Sequence, residues 1–238
     1  MTTLGLHTVI PRIGRYQSQA VSADHPHRQE GTRRVLNVVV AAIGLVLSAP
    51  IMLLVAIAIK LSSRGPVFYK QHRIGLCVRA ATGGNFRRKV DLGGRPFTIY
   101  KFRSMRAAEP GTDGQVWASQ NDPRITKVGA FLRKTRLDEL PQLLNVLRGE
   151  MNIVGPRPEQ PEIFQYLRNE VSSYAARQQV RPGITGRAQI TLQYDSSIDD
   201  VRKKVEADLE YIRTQSLLED LRIMALTAPV MIFRKGGR

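Results

Sequence analysis

Apolar residues follow two different patterns along this chain. From Val35 to Ile59 they form a nearly continuous run, VLNVVVAAIGLVLSAPIMLLVAIAI, with no charged residue and only Asn37 and Ser48 polar. As a helix this run would span roughly 37 Å, enough to cross a bilayer core. It begins too far along the chain and runs too long for the apolar part of a signal peptide. Elsewhere the apolar positions recur with short periods. Pro66 to Gln71 reads as a short strand, and Pro96 to Met105 (PFTIYKFRSM) alternates as a second. Between Lys127 and Leu147, residues Val128, Phe131, Leu132, Leu137, Leu140, Leu143, Leu144 and Leu147 return at three- and four-residue spacing. That spacing predicts a helix interrupted or kinked at Pro141. Pro161 to Gln178 and the strongly charged Asp199 to Gln215 predict two more amphipathic helices. Leu217 to Phe233 predicts a last, largely apolar helix, read as packing on the core in preference to lying in a membrane interface. The Gly-rich stretches 77–95 and 109–122 read as loops, and residues 1–31 as a mobile tail. The fold class expected is therefore α+β and mainly helical. A re-entrant membrane helix-hairpin (32–62) precedes a small α/β domain with amphipathic interfacial helices (63–238).

Charge changes the picture of partners. The 238 residues carry 36 Lys and Arg against 20 Asp and Glu, a net charge of +16. Such a surplus suits nucleic acid, an anionic membrane surface or a phosphorylated substrate. Nucleic acid gains nothing beyond the charge, because aromatic residues are only 6% and no binding motif is present. The single cysteine, Cys77, excludes an internal disulfide framework and a cysteine-rich zinc site. Basic residues flank the apolar run on both sides: Arg12, Arg15, Arg28, Arg33 and Arg34 before it, Lys60, Arg64, Lys70 and Arg73 after it. Positive flanks tend to stay on the cytoplasmic side. A helix bent at Ala49-Pro50, entering and leaving by one face, satisfies both flanks; a single spanning helix is the alternative. The carbonyls freed at the bend call for a partner such as the Ser48 hydroxyl.

Four short constellations could do chemistry. In Thr135 to Gln142, the adjacent acids Asp138 and Glu139 project about 100° apart on a helix, so one can attack a substrate while the other binds a metal. Arg133, Lys134, Arg136 and Arg148 crowd the same segment, keeping carboxylates ionised and attracting phosphate. In Gly155-Pro156-Arg157-Pro158, two prolines restrict the backbone around one arginine, a preorganised guanidinium suited to bidentate phosphate binding. Arg181-Pro182-Gly183-Ile184-Thr185-Gly186-Arg187 is a turn whose amides could cradle an anion. On the second strand, Lys101 and Arg103 fall on one face. Each of these has a plain alternative, a solvated charge or an ordinary turn.

Taken together and in order, GPVFYKQHRIG (65–75), PFTIYKFRSM, NDPRITKVGAFLRKTRLDELPQLLNVLRGEMNIVGPRPE (121–159) and VRPGITGRAQI (180–190) resemble the bacterial monotopic phosphoglycosyl transferases. This is the family of sugar transferases that begin exopolysaccharide and glycan assembly on a polyprenyl phosphate. The resemblance covers about residues 31–235, and the segment from Tyr194 to Met224 is similar to exopolysaccharide-type members. It implies a re-entrant helix broken at a Ser-Pro pair, which here reads Ala49-Pro50, and the loop 77–95 is longer than usual. It also implies Asp138 as a nucleophile that takes the phosphosugar from a nucleotide-diphosphate sugar such as UDP-glucose or UDP-galactose, before polyprenyl phosphate displaces it. Glu139 would hold Mg²⁺, the one cofactor implied. Arg157 would grip phosphate, with Lys101, Arg103, Arg136 and Arg181 in support. The partners implied are the nucleotide sugar, polyprenyl phosphate and anionic lipids at the cytoplasmic face of a bacterial inner membrane. No nucleic acid is expected, and a homodimer is compatible. The rival reading is a single-pass membrane protein with a basic nucleic-acid- or lipid-binding domain.

Overall fold

The computed structural model describes residues 30–77, 93–106, 122–192 and 197–233. The expected tail and most of the two expected loops lie outside the described residues. A single helix, α1 (Glu30–Ser62), contains the whole apolar run, with Pro50 inside it. Most of its surface meets no protein: Val46, Leu47, Leu53 and Leu54 are all exposed, and only Arg33, Asn37, Ala41, Val55 and Ile59 are buried. A helix this apolar and this bare has the make-up of a membrane segment rather than of a soluble core. α1 continues as one helix through Ala49-Pro50, and the Ser48 hydroxyl contacts Met52 Sδ at 3.5 Å.

β1 (Phe68–Ile74) and β2 (Pro96–Phe102) pair antiparallel, with Phe68 opposite Phe102 and Ile74 opposite Pro96. β1 begins two residues later than the apolar pattern suggests and runs on to Ile74. The long periodic segment 127–147 divides into α2 (Lys127–Thr135), a 3₁₀ turn (Leu137–Glu139) and α3 (Gln142–Leu147). The first break falls at Arg136, left-handed at φ 58°, and the second at Leu140-Pro141, the interruption expected at the proline; Pro141 stands just before the first residue of α3, where its missing N–H costs nothing. The helix expected over Pro161 to Gln178 also divides, into α4 (Pro161–Glu170) and a 3₁₀ segment (Tyr174–Gln179). Two three-residue strands join the segments read as turns: β3 (Asn152–Val154) runs parallel to β4 (Gly183–Thr185). A short α5 (Arg187–Thr191) precedes α6 (Ile198–Thr214) and α7 (Leu217–Phe233), both within one residue of expectation.

Three apolar clusters hold these elements together. Ala41 of α1 belongs to one buried cluster with Phe97, Ile99, Val146, Met151, Ile153, Tyr211 and Ile223, so β2, α3, β3, α6 and α7 share one core. Val55 and Ile59 pack with Phe102 and Leu132, which seats the far half of α1 on β2 and α2. Ile74, Phe164, Tyr174, Val201 and Val205 form the third cluster beneath α6. α7 packs on the core through Ile223, as expected, while Leu218, Leu221 and Leu226 on it are exposed.

Polar contacts fasten α1 at both ends. Near its start, Arg33 Nε donates to Asp220 Oδ2 at 2.7 Å and its Nη2 to Tyr211 Oη at 2.6 Å, all three side chains buried. Arg34 donates to the carbonyls of Val146 and Leu147. At the other end, Arg103 donates to the carbonyls of Ser63 and Arg64, each at 2.7 Å. Helices end with unpaired carbonyls and a partial negative charge, so a buried arginine there is well placed.

Candidate active site

Local backbone turns the acidic pair inward. Thr126 caps α2, accepting from Gly129 N at 2.9 Å, and Arg136 ends it in the left-handed region. That conformation costs about 1–2 kcal/mol for a residue with a Cβ, so the tertiary structure imposes it. Glu139 N donates to Arg136 O at 3.0 Å, closing the 3₁₀ turn. Asp138 and Glu139, each 7% exposed, then lie against β2 and the Pro-Arg-Pro loop.

Three cations converge on Glu139. Lys101 Nζ donates to Oε1 at 3.0 Å and Arg157 Nη1 to Oε2 at 3.2 Å. Arg157 Nη2 also reaches Oε1, and Arg136 Nη1 stands 3.6 Å from that atom. Burial pushes the Glu139 carboxyl upward, but Arg157 and Lys101 outweigh it and hold the pKa well below the usual carboxylate range. Asp138 has the opposite environment. Its Oδ1 is buried with no hydrogen-bond partner among the described residues. Burial and the adjacent Glu139 charge raise its pKa, against the pull of Lys101 and Arg157. Burial lowers the Lys101 pKa, partly offset by Glu139.

The Pro-Arg-Pro loop is fixed along its length. Gly155 N donates to Thr185 O and Gly183 N to Pro156 O, both at 2.9 Å. A Cβ on Gly183 would sit 2.1 Å from Gly155 N, so this close approach of β3 and β4 requires glycine. The next three carbonyls are also taken: Arg157 O by Arg177 Nη2 at 3.0 Å, Pro158 O by Arg73 Nη1 at 3.1 Å, and Glu159 O by Ile74 N at 2.9 Å.

Of the cations expected at the site, the structure gathers Lys101, Arg136 and Arg157. Two others serve elsewhere. β2 ends at Phe102, so strand alternation does not carry Arg103 to the face of Lys101; it caps α1 instead. Arg181 bonds Gly149 O at 3.1 Å and pairs with Glu30, tying β4 to the start of α1. Gly183–Thr185 of the turn expected to cradle an anion form β4, paired with β3 just ahead of the Pro-Arg-Pro loop. The sequence pattern does not mark Arg73, Arg177, Asp208, Glu159 or Lys204 as neighbours of the site. Arg73 and Lys204 flank Glu159 at 3.7 and 3.3 Å, and Asp208 holds Arg177 at 2.7 Å. One Arg near the end of a strand, another in a 3₁₀ segment and an Asp within a charged helix carry no periodic signal of burial.

For a metal, Glu139 offers the hard, ionised oxygens that Mg²⁺ prefers, and cationic side chains already hold those positions. Among the described residues no cluster of three or more His, Cys, Asp or Glu could cage an ion. An ion on Glu139 would draw its other ligands from phosphate and water, the usual mode for Mg²⁺. The geometry presents a surplus of cations to an anionic substrate, beside a buried Asp138 oxygen without a hydrogen-bond partner among the described residues.

Comparison with known proteins gives a consistent result. The family model described as bacterial sugar transferase matches residues 28–234. The UDP-glucose:undecaprenyl-phosphate glucose-1-phosphate transferase of Caulobacter vibrioides is 43% identical over 202 residues, 84% of this chain and 69% of that protein. A UDP-N-acetylgalactosamine-undecaprenyl-phosphate N-acetylgalactosaminephosphotransferase of Aeromonas hydrophila is 39% identical over 206 residues, where this chain spans 45% of its length. The exopolysaccharide production protein PSS of Rhizobium leguminosarum is 37% identical over 213 residues, 97% of that protein.

Proposed function

We propose that this chain, which belongs to the bacterial sugar transferase family, transfers a sugar 1-phosphate from a UDP-sugar to undecaprenyl phosphate through a covalent intermediate on Asp138. The observation that carries this reading is the contrast between the two acids. Glu139 is locked under Lys101 and Arg157, while Asp138 keeps a buried oxygen free to react.

An Asp138 oxygen attacks the phosphorus that bears the sugar. The bond from that phosphorus to the bridging oxygen breaks, and uridine monophosphate leaves with the electron pair. The phosphosugar remains on Asp138 as an acyl phosphate. An oxygen of undecaprenyl phosphate then attacks the same phosphorus and returns Asp138 to a carboxylate, yielding the lipid diphosphate sugar. Arg157 and Lys101 exchange their bonds to Glu139 for bonds to the incoming phosphates, and Arg136 adds charge at the rim. Mg²⁺ on the carboxylate thus vacated would neutralise charge on the diphosphate. Glu139 also keeps the cations in place between turnovers.

The membrane path we propose is re-entrant, with α1 entering and leaving by the cytoplasmic face of the inner membrane. Its support is that Arg33 and Arg103 tie the two ends of α1 to one domain. A helix crossing the bilayer would part those ends by its thickness. The donor is read as a UDP-hexose, after the relatives that use UDP-glucose.

The test is uridine monophosphate release from a panel of UDP-sugars, with and without undecaprenyl phosphate and Mg²⁺, followed by mass spectrometry of the quenched protein. A phosphohexose adduct on the peptide containing Asp138 is expected. Release only when the lipid is present, with no adduct, would replace the covalent route by direct transfer.

A further inference from the structure

Beyond the residues that would meet substrate, one buried ion pair lies directly behind Arg157. Arg177 is almost wholly enclosed, its Nε donating to Asp208 Oδ2 at 2.7 Å and its guanidinium centred 4.9 Å over the Tyr174 ring. Its Nη2 donates to the Arg157 carbonyl at 3.0 Å. We propose that Arg177 and Asp208 are a positioning pair, which aims the Arg157 side chain by holding the Arg157 carbonyl. This rests on the reading of Arg157 as a residue that grips the donor's phosphates.

The geometry favours control through that one carbonyl. Arg157 precedes Pro158, so the peptide bond after it has no N–H, and its own backbone is restricted. The direction of its carbonyl therefore sets the remaining backbone rotation, and with it the direction of the side chain. Asp208 sits on α6, whose Val201 and Val205 are core residues, so the pair is anchored to rigid packing. From there the contacts run without a gap from Asp208 to Arg177, to the Arg157 backbone, and through the Arg157 guanidinium to Glu139.

Energetics argue against a purely structural role. A buried ion pair is often no more stabilising than apolar residues of similar size. Here the guanidinium also leaves Nη1 buried without a partner among the described residues. The arrangement accepts that cost while satisfying the two donors that join Asp208 to the loop.

The experiment uses the full chain in lipid nanodiscs with UDP-glucose and undecaprenyl phosphate. Arg177→Met with Asp208→Leu replaces the pair by apolar groups and leaves no lone charge. Folding, read by thermal melting, should be retained, while kcat falls roughly 10- to 100-fold, as a small misplacement of a substrate-gripping group would produce. In an Arg157→Ala background, the same double change should cost less than about twofold, since the pair would act through a side chain already removed. Arg177→Lys keeps the charge on Asp208 should the apolar pair not fold, and should follow the same pattern. An unchanged kcat, or equal losses with and without the Arg157 side chain, overturns the proposal. An Arg157→Ala chain as fast as wild type overturns the reading of Arg157 as well.

Discussion

Asp138 and Glu139 are adjacent and equally buried, yet only one of them is neutralised. Lys101 and Arg157 both donate to Glu139, while Oδ1 of Asp138 has no partner among the described residues. Burial alone would raise both pKa values. Direct ion pairs reverse its effect at Glu139 and leave it standing at Asp138. The site thus separates a held carboxylate from a reactive one through contacts, not through depth.

Replacing Asp138 by Asn should abolish turnover and stabilise the fold. The rate should fall at least about a thousandfold, as for other covalent nucleophiles. The raised pKa means that the folded protein resists the ionised form. The favourable contribution of Asp138 is therefore complete below its unfolded pKa of about 3.9 and is lost as pH rises through its higher folded value. Asp138→Asn should accordingly raise Tm by a few degrees at neutral pH, and the gain should vanish below about pH 3.9. A fall in Tm at neutral pH would contradict this.

The pH profile should carry the same signature. Activity needs ionised Asp138, so its acid limb should fall above the ordinary aspartate value of about 3.9. Glu139→Gln removes a neighbouring negative charge that raises the Asp138 pKa. Whatever rate this variant retains, its acid limb should move to lower pH. A limb that stays in place would separate the limb from Asp138.

Arg103 should matter for stability and not for chemistry. Gly65 lies at φ 126°, and a Cβ there would stand 2.0 Å from Arg103 Nη1. Gly65→Ala should therefore reproduce Arg103→Met, each costing about 1–3 kcal/mol by uncapping α1, with kcat per folded molecule within about twofold of wild type. Loss of kcat in both, with Tm unchanged, would return Arg103 to the phosphate site.

Membrane topology has its own test. Single cysteines introduced at Glu30 and Ser62, in a Cys77→Ser chain, should both be labelled from the cytoplasmic side in oriented vesicles. Labelling of one from each side would replace the re-entrant path by a spanning helix.

Much of this architecture follows from periodicity. α6 and α7 emerge within a residue because seventeen-residue amphipathic and apolar patterns leave little choice. The bounds that sequence misplaces are set by distant contacts. Arg136 is an ordinary helix former, and only tertiary packing drives it to positive φ. β3 and β4 have three residues each, too short for a period-two pattern, and their pairing depends on the fit of Gly155 against Gly183. The acids and Arg157 were recognisable from their motifs. Which of the many cations joins them is not legible, because Lys101, Arg103 and Arg181 are told apart by partners distant in sequence.

The tie between Arg33 and Asp220 spans 187 positions. At ribosomal speeds of about 5–20 residues per second, the helix would wait roughly 10–40 s for its partner to be made. Through that interval Arg33 would remain solvated at the lipid headgroups while the apolar run is already committed to the bilayer. The final closure of the domain would then take place on the membrane surface after synthesis of α7, so that a chain stalled before Asp220 would be inserted yet unlatched, an exposed target for membrane proteases.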